Sequence, residues 1–262
     1  MNVIDFNHRS FKCKILSVFI LLLIFLFVSV LSTNAQQVSD TAYRFSIYQA
    51  AYQEGEGSLI YIDEAHNNFQ TKGGFFFAFS KLLEQDGYRV KRQNEAIMNA
   101  DMLNACKILV IANPLHVSNI NRWTLPTPSA FSTDEISNIK QWVENGGSLF
   151  LIADHMPFGI LNFLAEHYSK QPDTAWRFND NTPIQKLDGF YQGAILTFGK
   201  GNVAVFGEAA MFTAQIVNGN VNVGFNSEYA PQNAQFTLNL IHWLDGIKDY
   251  SGTIAKEKKT DN

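Results

Sequence analysis

The chain has 262 residues, with 20 basic and 24 acidic side chains and a formal net charge of −4. That balance offers no basic patch or stripe of the kind nucleic-acid binding requires, so nucleic acid is excluded as a partner. With only two cysteines a disulfide framework is excluded as well, and the fold must rest on its core.

Arg9, Lys12 and Lys14 precede an apolar run from Ile15 to Leu31, and Ser32-Thr33-Asn34-Ala35 follows. This is the layout of a secretory signal peptide cut after Ala35, which predicts a periplasmic or extracellular protein. The competing reading is an uncleaved N-terminal membrane anchor, because the 17-residue run sits at the short limit for a span. Cleavage removes Arg9, Lys12, Lys14 and Asp5, leaving 17 basic and 23 acidic side chains, a net charge of −6, and Cys106 as the one remaining thiol.

Residues 36–56 read as a polar lead-in. An α/β domain is expected over 57–247, then a disordered charged tail over 248–262. Ser58 to Ile62 reads as a first strand and Phe75 to Gln85 as a helix, with Phe75, Phe76, Phe79, Leu82 and Leu83 on its apolar face. The Phe75-Phe76-Phe77 run is read as core. A second strand is predicted over Tyr88 to Lys91, a short helix over Met98 to Ala105, and a third strand over Lys107 to Ala112. Asn113 to Ser132 is a long connection with three prolines, a length that usually marks function or disorder. Ser132 with Glu135 three residues later forms a capping box, and Ile136, Ile139, Trp142 and Val143 continue at helical spacing. Gly146-Gly147 ends that helix and leads into the apolar strand before Asp154-His155.

A further helix is expected from Phe158 to Tyr168, and 169–193 reads as an insertion. Ala194 to Phe198 and Asn202 to Phe206, joined by Gly199-Lys200-Gly201, read as a C-terminal β-hairpin. A short helix is predicted from Gly207 through Gln215 and a closing helix from Gln232 to Asp245. Strands alternating with helices argue for a mainly parallel sheet, whose ligands bind outside the carboxyl ends of the strands.

Polar residues concentrate at those ends. The first strand is followed by Asp63, Glu64 and His66, then Asn67 and Asn68; the third leads into Asn113 and His116; the fourth ends in Asp154 and His155; the hairpin ends in Glu208. Buried carboxylates are costly unless paired, so packing alone is a poor reason for this pattern. Asp63, Glu64, His66, Asp154, His155 and Glu208 are the catalytic candidates, and Asn67, Asn68, Asn113, His116, Arg122 and Trp123 the ligand-binding ones. The bland alternative makes Asp63 and Asp154 turn or helix caps. Mixed Asp, Glu and His suits a His–carboxylate acid–base pair. It equally suits a divalent metal, although no established ligand spacing is present. His167 and His242 lie on predicted helices and read as structural. Cys106 precedes a strand and reads as a small buried hydrophobe. The expected partner is a small polar ligand or substrate.

Asp63 to Asn68 (Asp-Glu-x-His-Asn-Asn), Ala153 to Phe158 (Ala-Asp-His-x-Pro-Phe) and Gly207 to Phe212 (Gly-Glu-Ala-Ala-Met-Phe) together resemble the class I glutamine amidotransferase-like superfamily. They are most similar to an uncharacterised, often exported bacterial branch of it, over residues 57 to 246. The resemblance implies a flavodoxin-like three-layer sandwich. Amidotransferases of this superfamily carry a nucleophilic cysteine on the turn that here holds Asp154-His155-Met156, so the resemblance does not imply glutamine hydrolysis. It leaves a pocket reassigned to other hydrolytic chemistry, or to non-catalytic binding of a small ligand such as a carbohydrate, or to an envelope interaction module.

Overall fold

A computed structural model describes residues 37–122, 127–154, 174–176 and 192–247. The expected signal segment, the helix expected over Phe158 to Tyr168, most of the expected insertion, His167 and the charged tail lie outside the described residues, as do Trp123 and His155.

In chain order the strands are β1 (Gln37–Ser39), β2 (Leu59–Asp63), β3 (Arg89–Gln93), β4 (Ile108–Ala112), β5 (Ser148–Ile152), β6 (Thr174–Trp176), β7 (Gly193–Phe198), β8 (Gly201–Phe206), β9 (Ala214–Val217) and β10 (Val221–Gly224). The described α-helices are α1 (Phe77–Gln85), α2 (Thr133–Glu144) and α3 (Asn233–Asp245). Seven strands form the main sheet in the order β3-β2-β4-β5-β8-β7-β6. The first five are parallel, and β7 and β6 complete the sheet antiparallel. Counted among themselves, the parallel strands follow the 2-1-3-4-5 order of flavodoxin-like sheets. The order reverses between β2 and β4, and the crevice at that switch is where such sheets place their ligands.

The interior strands owe their form to apolar residues on both faces. Every residue of β4 and of β5 is buried, as expected for parallel strands covered on two sides. Alternation then sorts them by face. Ile108, Val110, Phe150 and Ile152 meet Phe76, Phe79, Leu82 and Leu83 of the α1 region and Leu238, Ile241 and Leu244 of α3. Leu109, Ile111, Leu149 and Leu151 meet Ile136, Ile139, Trp142 and Val143 of α2. The result is the expected three-layer sandwich. Phe150, Phe206 and Phe212 lock together edge to face, with centroids 5.0, 5.1 and 5.9 Å apart, a geometry that adds to simple burial.

Several elements differ from the sequence reading. The Met98 to Ala105 helix contracts to one 3-10 turn at Ala100–Leu103. The helix predicted from Gly207 through Gln215 is a 3-10 turn at Ala210–Phe212, after which the chain extends into β9. There β9 pairs with β1 and β10 in a small antiparallel sheet. Long-range pairing overrides the local helix formers Ala209, Ala210 and Met211. The polar lead-in contributes β1 and a buried Phe45. The hairpin is present, with β7 and β8 each one residue longer and a tighter Gly199-Lys200 turn. Of the Phe75-Phe76-Phe77 run, Phe76 alone is fully buried, while half-buried Phe75 stacks on Phe69.

Candidate functional site

The end of β2 builds the buried part of the site. Asp63 is wholly buried, and its carboxylate takes the His66 Nδ1 proton at 2.9 Å from either oxygen. It also accepts from Asn68 Nδ2 at 2.9 Å and from the Ala65 amide at 3.3 Å. The capping reading of Asp63 is thus right as far as it goes, and the imidazole is the larger commitment. On the far side of the ring, His66 Nε2 lies 2.9 Å from Glu135 Oε1. Phe131 covers the ring face, with centroids 3.8 Å apart.

Glu135 was legible in sequence only as the third residue of a capping box, and that box is present: Ser132 Oγ accepts from the Glu135 amide, and Glu135 Oε2 accepts from the Ser132 amide at 2.9 Å. Its other oxygen turns inward to His66 and to the Ile97 amide at 3.0 Å. The available signal was its place at the start of a helix that begins at the carboxyl edge of the sheet. For both ring nitrogens to donate, His66 must be an imidazolium. Burial pulls its pKa down, but the hydrogen bonds and charges of Asp63 and Glu135 outweigh this and raise it. Burial likewise pushes Glu135 up, and Ser132 and His66 together hold it below its ordinary value. Two carboxylates on one imidazolium make a saturated, rigid unit.

Asn113 joins that unit to β5. Just after β4, it takes the left-handed backbone at φ 46°, as Asn67 does after β2 at φ 49°. Asparagine tolerates this region better than other non-glycine residues. Asn113 accepts the Asp154 amide on Oδ1 at 3.0 Å, donates Nδ2 to Gln70 at 2.7 Å, and accepts the Phe69 amide on its carbonyl at 3.1 Å. Asn68 Nδ2 reaches the Ala112 carbonyl at 3.2 Å, and Asn67 Nδ2 the Leu115 carbonyl at 3.1 Å. These bonds stitch the two strand ends together across the switch point.

Asp154 and Glu208 follow β5 and β8, which are parallel neighbours. Asp154 Oδ2 accepts the Ala209 amide at 3.3 Å, while Glu208 Oε1 accepts the Ala210 amide at 2.6 Å. The structure therefore brings together Asp63, His66, Asn67, Asn68, Asn113, Asp154 and Glu208. Glu64 turns away, taking the Lys72 amide at 2.7 Å and facing Arg92. His116 bonds its own Ser118 and caps the 3-10 turn Val117–Asn119. Arg122 is exposed. Among the described residues, no group of three or more His, Cys, Asp or Glu is placed to hold a metal ion.

The opposite edge carries a separate polar cluster. His242 Nε2 lies 2.5 Å from Asp86, and Asp245 receives Ser58 Oγ at 2.7 Å and Tyr52 Oη at 2.5 Å. These contacts fasten α3 to the C-terminal cap of α1 through His242 and to the segment before β2 through Asp245, so His242 has the structural role expected of it. Cys106 is buried before β4 and donates to the Ile108 carbonyl at 2.9 Å; burial pushes its thiol pKa up to about 12.

No family model matches the chain, and no curated protein matches it. Similar solved structures include an exo-β-1,4-mannosidase from Opitutaceae bacterium strain TAV5, at 13% identity and TM-score 0.40 over 71% of this chain and 36% of that one. A cytoplasmic protein from Salmonella typhimurium LT2 matches at 14% identity and TM-score 0.38, over 74% of this chain and 100% of that one. A protein described as ThuA-like from Bacteroides uniformis ATCC 8492 matches at 18% identity and TM-score 0.28, over 42% of this chain and 40% of that one. The chain thus spans 36% of the mannosidase's length and the full length of the Salmonella protein.

Proposed function

We propose that this chain is an exported amidotransferase-like domain with a hydrolase-type site for a small polar substrate at the carboxyl edge of its parallel sheet. In this reading Asp154 and Glu208 are the acid–base carboxylates, and Asp63, His66 and Glu135 are positioning residues beneath them. The observation that carries it is the placement of Asp154 and Glu208 on adjacent strand ends, where Asp154 accepts the Ala209 amide and Glu208 the Ala210 amide. Two carboxylates at one sheet edge can serve as general acid and general base, and so activate water without a thiol nucleophile. His155, next in sequence to Asp154, is a further proton carrier in this reading. The buried, high-pKa Cys106 does not take part, so glutamine hydrolysis through a thioester is not the activity.

The test is a screen of chromogenic amides, esters and glycosides with the wild type, Asp154→Asn and Glu208→Gln. Loss of a positioned acid or base lowers kcat by roughly 10²- to 10⁴-fold, while melting temperature and iodoacetamide resistance stay as they were. Full turnover in both variants would sink the reading. A second reading, a non-catalytic module for a small polar ligand, is favoured by His66, both of whose nitrogens are already engaged. It predicts saturable ligand binding with no turnover of any substrate. Export belongs to the same proposal: intact-mass measurement of protein from the periplasm or medium is expected to find a chain starting at Gln36.

A further inference from the structure

When glycine follows asparagine, its backbone nitrogen meets the least steric hindrance in reaching the asparagine side-chain carbon, since glycine has no Cβ. The chain holds two such pairs, Asn145-Gly146 and Asn218-Gly219. Both asparagines are exposed, so access to water does not separate them. The backbone does. Asn145 ends α2 in right-handed helical geometry, with its N–H on the Gln141 carbonyl at 3.1 Å. The Gly146 N–H donates to Val143 and the Gly147 N–H to Trp142, each at 3.0 Å. Lys107 Nζ holds the Gly146 carbonyl at 2.8 Å, and the Trp142 ring packs so closely on Gly147 that a Cβ there would run into it. Freeing the Gly146 nitrogen therefore means opening the end of α2.

Asn218-Gly219 forms the tip of the β9–β10 hairpin. Asn218 stands at φ 52° and Gly219 at φ 78°, the left-handed pair of a type I′ turn. One bond closes that turn, from the Asn220 amide to the Val217 carbonyl at 3.3 Å. Among the described residues no acceptor takes the Gly219 N–H, and no group binds the Asn218 side chain. A Cβ built on Gly219 would meet nothing within 4 Å. Turn formation explains why Asn-Gly stands here, but it leaves both reacting groups in water. A hairpin tip of this kind opens locally, without the rest of the fold.

We propose that Asn218 is a deamidation site and that the fold shields Asn145 from the same reaction. The Gly219 nitrogen gives its proton to solvent base and attacks Asn218 Cγ. The bond from Cγ to the side-chain nitrogen breaks, and ammonia leaves with a proton taken from water. Water then opens the succinimide at either carbonyl, giving aspartate or isoaspartate. Nothing is oxidised or reduced, and water is the only co-reactant. Either product puts a carboxylate in place of a neutral amide. Isoaspartate also routes the main chain through Cβ and Cγ, a lengthening that the type I′ turn does not accommodate. The proposal is independent of the hydrolase reading. Its test is incubation of the folded full chain at mildly alkaline pH, followed by peptide mapping with fragmentation that separates isoaspartate from aspartate. Asn218 is expected to convert at least about tenfold faster than Asn145 in the folded chain, because the tip opens locally and the end of α2 does not. In urea the two pairs should convert at similar rates. Asn218→Gly, which suits the turn, should leave only the slow event at Asn145. Hydrogen exchange on the converted protein should show lost protection in Val221–Gly224 with Ile108–Ala112 unchanged. Equal rates at the two pairs in the folded chain would overturn the proposal. So would a preference for Asn218 that persists undiminished in urea, since the cause would then lie in sequence alone.

Discussion

His66 holds two carboxylates that would otherwise repel each other inside the protein. Breaking one side of such a buried arrangement strands a charge and costs about 3–5 kcal/mol. Glu135→Ala also orphans the Ile97 amide, so urea unfolding should show a loss in that range; a loss near zero would mean the contacts do not form. The triad also predicts a pH profile. The raised His66 pKa means its contribution is complete below its ordinary 6.5 and fades as pH climbs through the raised value. The lowered Glu135 pKa means its contribution is complete above its ordinary 4.5 and fades as pH falls through the lowered value. The stability difference between wild type and His66→Gln should therefore peak between about 4.5 and 6.5 and shrink on either side. A difference flat in pH would show that His66 is held neutral.

At the level of elements, α2 is fixed at both ends by small local devices. Its N-terminus depends on Ser132, so Ser132→Ala should cost about 1 kcal/mol for the lost cap, with Glu135 less firmly held against His66. Its C-terminus lies against the start of β8, where a Cβ on Gly201 would meet the carbonyls of Gly147 and Val143. Overpacking of this kind costs about 1–3 kcal/mol, and a thermal melt of Gly201→Ala should show it. Which elements could be read in advance follows the range of the interactions that make them. The strands β4 and β5 and the helix α2 were legible because burial and capping are written locally, in runs such as Ile108-Leu109-Val110-Ile111 and in Ser132 with Glu135. The small sheet was legible only in part. Asn218-Gly219 between Ile216-Val217 and Val221-Asn222-Val223 is a local hairpin signal that the helix reading of 207–215 passed over, but nothing local shows that β9 also pairs with residues as distant as Gln37 to Ser39.

The whole molecule shows the same division. The carboxyl edge was readable as a polar cluster, since Asp63 ends a strand and His66, Asn113, Asp154 and Glu208 each follow one. The bond from His66 to Glu135 spans 69 positions in sequence, and no local pattern announces a contact of that kind. Nor does sequence show that Glu64, next to Asp63, turns instead to the Lys72 amide and Arg92. The layered build also sets an order of opening. Hydrogen exchange should find Ile108–Ala112 and Ser148–Ile152 slowest, exchanging only on global unfolding, while β1 and the exposed end of β10 exchange by local opening. Faster exchange in β4 than in β10 would contradict the central position of the parallel sheet. Cys106 offers a direct way to watch that hierarchy. With its thiol closed inside the core and its proton tightly kept, the residue is silent toward alkylating reagents while the domain is intact. In protein lacking residues 1–35 it is the sole cysteine, so its rate of alkylation becomes an intrinsic clock for unfolding, with no engineered label.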